Sequence, residues 1–127
     1  MIERRSFLDK GLLLDVLYDA LRIRFYEHGQ SISVVYDKDV GDNWLLVKQL
    51  EKRLMSLPDV NLDRVDSKVY GRGLPNQYVK FVPIGRLLHT EVEDVVLVST
   101  TTVQADTLKL VFEKSETLKV FEGVVND

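Results

Sequence analysis

The sequence predicts a mixed α+β fold, and three observations carry that reading. Leu13, Leu17 and Leu21 recur four residues apart, the spacing of one helix face. Residues 31–37 read Ser-Ile-Ser-Val-Val-Tyr-Asp, a short β-branched run of the kind that makes a buried strand. Val47, Leu50, Leu54 and Leu57 share a second helical face, which Pro58 brings to an end. The expected order is an N-terminal helix, a central β-α-β-β unit open to a ferredoxin-like arrangement, and a C-terminal antiparallel β-meander.

Each element has a local reason. The first helix is expected over residues 7–28, with Ser6 as its cap and Asp9 in the acidic position of a capping box. His28 suits its negative end, and Gly29 stops it. Leu14, Tyr18 and Phe25 widen its apolar face, so it should lie against a sheet or another subunit. Asp42 or Asn43 caps the second helix. Residues 60–70 read as one long strand, 70–76 as a glycine-rich turn, 77–83 as the next strand and 84–92 as a short helix. Residues 95–103, 107–113 and 117–122 complete the meander, turning at 104–106 and 114–116. The expected core joins Leu17, Leu21, Val35, Leu50, Leu54, Leu97, Leu110 and Phe112, and Trp44 is expected to pack.

At 127 residues the chain is the size of one domain, expected to span residues 1–127. An apolar share of 45% and a charged share of 29% are ordinary for a globular protein. The absence of cysteine excludes disulfides, thiol nucleophiles and Cys-type metal sites. No run of about 18 apolar residues is present, so no membrane span is expected. Asp9, Asp15 and Asp19 interrupt what would be a signal-peptide core. An intracellular setting, cytoplasm or virion, is the expected location.

The net charge of −3 is unevenly spread. Residues 64–86 carry Arg64, Lys68, Arg72, Lys80 and Arg86 against Asp66 alone, and the remainder of the chain to residue 127 is predominantly acidic. The basic stretch also holds Tyr70 and Tyr78 around the glycine-rich turn. Positive groups beside aromatics suit phosphates and stacked bases, or an acidic protein surface. Arg64, Lys68, Tyr70, Arg72, Tyr78, Lys80 and Arg86 are therefore the candidate partner-binding residues. Tyr78-Val79-Lys80-Phe81, with residues 32–36 as partner strand, resembles the second half of an RNA-recognition strand motif. Pro75-Asn76-Gln77 stands where that motif has its glycine–aromatic start. The bland alternative is a hairpin whose charges discourage edge-to-edge aggregation.

Asp37-Lys38-Asp39-Val40-Gly41-Asp42 follows a buried strand, where open α/β sheets place ligand groups. As an EF-hand loop it would need glycine sixth and glutamate twelfth, and Asp42 and Lys48 stand there. Strand plus Asp-x-Asp resembles the first motif of the haloacid-dehalogenase phosphatases, which would make Asp37 nucleophile and Asp39 acid. Gly41 occupies the position where that family has threonine or valine. His28 and His89 share no metal-ligand spacing, and no Gly-x-Ser-x-Gly elbow is present.

With no catalytic constellation, cofactor or metal called for, the expected function is non-enzymatic. The chain reads as a small structural or assembly subunit acting through protein contacts, by self-association or in a larger complex, a viral one included. A nucleic-acid-binding or regulatory domain using the basic stretch is the alternative. Titrating magnesium or calcium calorimetrically into the protein should give no micromolar affinity; an affinity at that level, lost in Asp37→Asn, would make the 37–42 turn a cation site.

Overall fold

The computed structural model describes residues 2–64, 69–71 and 77–124. It is a mixed α/β structure built on one seven-stranded, mostly parallel sheet. In chain order the elements are β1 (Ile2–Phe7), α1 (Lys10–Leu21) continued by a π-helical turn (Arg22–Glu27), β2 (Ile32–Tyr36), α2 (Asn43–Met55), β3 (Asn61–Arg64), β4 (Val69–Gly71), β5 (Tyr78–Pro83), a 3₁₀ helix (Ile84–His89), β6 (Asp94–Ser99), α3 (Ala105–Lys114) and β7 (Thr117–Gly123). Across the sheet the strands run β1-β7-β6-β2-β5-β4-β3. The first five are mutually parallel, and β4 and β3 close the far side antiparallel.

Parallel strands need cover on both faces, and their sequences say so. Along β2, Ile32 and Val34 point to one face and Val35 to the other, all fully buried. The first face is covered by α1 and α2: Leu13, Leu17, Leu21, Leu46, Leu50 and Leu54 pack there with Val79, Phe81, Val96, Val98 and Phe121. The opposite face packs Val35, Val82, Val95, Leu97, Leu118 and Val120 under Val111 of α3 and Leu87 of the 3₁₀ helix. The expected core residues thus divide between two layers, with Leu17, Leu21, Leu50 and Leu54 separated by the sheet from Val35 and Leu97.

Four expectations are corrected. The residues before α1 form a strand, and α1 begins later than expected: its cap is Asp9, whose Oδ1 accepts from the Gly11 and Leu12 N–H groups at 2.7 and 3.3 Å. β1 shows no apolar alternation because it is an outer strand, exposed from Ile2 to Ser6 and buried only at Phe7. The long strand over 60–70 is instead two short strands, β3 and β4, that pair antiparallel. Residues 65–68, and 72–76 of the expected turn, lie outside the described residues. The ferredoxin-like arrangement, whose sheet is antiparallel, gives way to parallel pairing of β2 with both β5 and β6.

The C-terminal meander is also absent. Residues 107–113, read as a strand, belong to α3, and β6 and β7 run parallel on either side of that crossover. Leu108, Leu110 and Phe112 mimic strand alternation, but Leu108 and Val111, three apart, make the buried helical face. Leu110 and Phe112 are 37% and 45% exposed. Trp44, expected to pack, is 54% exposed on the first turn of α2.

Leu50→Ala, at a fully buried site on α2, should lower unfolding free energy by about 2–5 kcal/mol in urea melts. Phe112→Ser should cost less than about 1 kcal/mol. The reverse order would restore the meander.

Candidate functional site

The sheet topology singles out one place. β2 feeds α2 on one face and β6 feeds α3 on the other, so the loops leaving these neighbouring parallel strands diverge. A crevice opens between such loops at the carboxyl ends of the strands. Here it encloses about 200 Å³, lined by Asp37, Val40 and Asn43 from the first loop and by residues of the second, from Leu97 through Thr107.

Asn43 holds the two loops together. It is 1% exposed, at the start of α2. Its Nδ2 donates to the Asp37 carbonyl at 3.0 Å, and its Oδ1 accepts from the Thr100 N–H at 2.7 Å, the Thr100 hydroxyl at 2.9 Å and the Ser99 hydroxyl at 3.4 Å. The amide orientation follows, since every donor meets the oxygen and the one acceptor meets the nitrogen. The Thr100 hydroxyl also accepts from the Asp42 N–H at 3.2 Å. Gly41 at φ +50° lets the loop pass close to that hydroxyl.

The second loop is clamped from behind. Arg4 of β1 donates through Nη2 to the Val103 carbonyl at 3.0 Å, and its Nε lies 3.0 Å from both oxygens of Glu122, a carboxylate only 2% exposed. Gly123 permits the end of β7 to touch this loop: a Cβ there would collide with the Thr100 carbonyl.

What faces the crevice is hydroxyl-rich above an apolar floor. Ile84, Leu97 and Val103 supply the floor, and Ser99, Thr101, Thr102 and Thr107 bring hydroxyls. Among the described lining residues Asp37 is the one that carries a formal charge. Its Oδ1 accepts from the Asp39 N–H at 3.0 Å, which fixes the carboxylate at the end of the central strand.

Of the residues proposed from sequence for partner binding, Tyr70, Tyr78 and Lys80 stand on the paired strands β4 and β5, and Arg64 is in register with Val69 at the end of β3. Tyr70 points into the core, edge-on to Phe81 at 5.7 Å. Burial, and then hydrogen-bonded Glu51 beside it, raise its phenol well above the ordinary value. Tyr78 stands at the start of β5 with Lys80, whose Nζ lies 5.4 Å over the Tyr78 ring and donates to the Glu91 carbonyl at 2.8 Å. Burial, then the charges of Glu93 and Asp94, raise the Tyr78 phenol. Arg86 is on the 3₁₀ helix beyond the other end of β5. Arg64 closes β3, while Lys68 and Arg72 lie outside the described residues.

Sequence reasoning placed Asp37 at a strand end but missed the crevice residues 99–103, read as the continuation of a strand. The usable signal was Ser-Thr-Thr-Thr directly after a continuous apolar run, which marks a buried strand ending in a polar loop. Among the described residues no helix is long and apolar enough to cross a membrane. Comparison with protein families, curated proteins and solved structures finds no match.

Removing the Asn43 amide leaves the buried Thr100 N–H without its acceptor, so Asn43→Ala should cost about 3 kcal/mol. Gly123→Ala should cost about 1–3 kcal/mol by overpacking. Urea melts measure both; an Asn43→Ala loss under about 0.5 kcal/mol would mean that the loops do not depend on this side chain.

Proposed function

We propose that the chain is a non-enzymatic binding domain whose crevice between β2 and β6 takes a compact ligand bearing vicinal hydroxyls, of ribose or pyranose type. The observation that supports it is the Asp37 carboxylate at the end of β2, fixed beside a row of hydroxyls over an apolar floor. A carboxylate at a strand end accepts well from sugar hydroxyls, and neighbouring serine and threonine hydroxyls can both donate and accept. The floor suits the C–H face of a sugar ring, and about 200 Å³ suits one ring better than a dinucleotide.

A second reading is a protein-contact subunit, assembled in the cytoplasm or in a virion. Exposed Trp44 and Leu45 on α2, with Leu8 just before α1, favour it. The Lys10–Asp42 ion pair, 3.4 Å, brings those two helix starts together. A nucleic-acid role for the basic stretch has less support, since Lys80 is engaged within the chain and Tyr70 is buried.

Amide NMR titration with ribose, adenosine and glucose separates these readings. Saturable shifts at residues 37–43 and 99–104 are expected for at least one of them. Asp37→Asn should weaken that binding about tenfold, the worth of one charge-assisted hydrogen bond. No shifts at millimolar ligand, or an affinity indifferent to Asp37→Asn, would remove the ligand reading.

A further inference from the structure

Among the described residues β1 ends the sheet and is hydrogen-bonded only to β7, so its outer row of N–H and C=O groups is a template for another strand. Its sequence is self-complementary in one register. A two-fold axis perpendicular to the sheet keeps each face on its own side, so antiparallel β1 strands must oppose residues of like face. With Arg4 at the axis, Glu3 of each copy stands opposite Arg5 of the other. The two neighbouring registers put Glu3 against Glu3, or Arg5 against Arg5.

The side chains are already disposed for this pairing. Arg5 lies on the α1 face, its guanidinium 5.9 Å over the rings of both Phe7 and Phe121. Glu3 shares that face, 3.5 Å from Lys119. Arg4 lies on the other face, and Glu122 already matches its charge, so two Arg4 side chains meeting at the axis are not bare cations.

Helix α1 supplies the apolar part of the contact. It packs on β1 and β7, and one flank meets α2, where Arg53 bonds Asp15 at 2.7 Å and lies 5.6 Å over Tyr18. At about 100° per residue, Leu12 and Val16 fall on the side of α1 turned away from Tyr18, and Ile23 follows in the π-helical turn. Leu12 is 53% and Ile23 38% exposed.

From this charge complementarity we infer that the chain forms a two-fold dimer by antiparallel pairing of β1 with β1 of a second copy. The two sheets become one, and Leu12 and Val16 come between antiparallel α1 helices. The crevice is not part of this interface, so the inference stands apart from the ligand reading.

Sedimentation equilibrium of the full chain over a concentration series tests it, with Lys119→Gln as common background so that a swapped charge at position 3 meets no like neighbour. The expected species is a dimer. Arg5→Glu should raise its dissociation constant about tenfold or more by turning two cross-strand attractions into repulsions. Leu12→Lys should also raise it, with the monomer's thermal melt unchanged. Glu3→Arg with Arg5→Glu should restore the dimer. A monomer at every concentration, a dimer indifferent to both single variants, failure of the double swap, or a ladder of larger species would each overturn the inference.

Discussion

Two parallel strands at the centre of the molecule, β2 and β6, set the terms for everything else. Neither can leave a face to water, because each carries valines on both sides. One helical layer cannot serve both faces, so α1 and α2 take one, while α3 and the 3₁₀ helix take the other. The loops that lead to these layers must part company at the strand ends. The crevice follows from the covering of the sheet, before any ligand is considered.

Parting loops expose backbone groups at the very point where packing is thinnest, and Asn43 answers that need. One amide satisfies a carbonyl of the first loop and an N–H of the second, under near-complete burial. The same residue opens α2, so the helix, the loop and the neighbouring strand end share one fixed point. Arg4 performs a comparable service from the sheet's edge, binding Glu122 and the Val103 carbonyl together. A floor held from two sides can present hydroxyls in fixed positions, which is what recognition of a small polar ring requires.

How far the sequence revealed this depends on how each signal was produced. β2 and α2 were legible because a buried strand and a helix stopped by proline have distinctive patterns. β1 was not, since an edge strand laced with Glu3, Arg4 and Arg5 has the polarity of a loop. α3 was misread because Leu108, Leu110 and Phe112 alternate while only one side of the helix is buried. The site was lost in the same way: as a strand continuing through Val103, the stretch could not be seen as the loop that faces Asp37. Of the stretch grouped by sequence, Arg64, Tyr70, Tyr78 and Lys80 fall on neighbouring strands, but Tyr70 turns inward and Arg86 lies beyond the far end of β5, which no charge count could show.

The pairing of β1 with β7 has a bearing on how the molecule is made. The Arg4–Glu122 contact joins residues 118 apart in sequence, and the entire β1–β7 ladder spans a similar distance. Contacts of such long range close late and slow the search for the native state. During synthesis β2, α2 and the β3–β5 strands can assemble while β1 waits, its backbone unsatisfied, for a partner not yet translated. β1 therefore stays open until β7 has been made. Its charged residues then have a second use, keeping that waiting strand from pairing with the wrong neighbour.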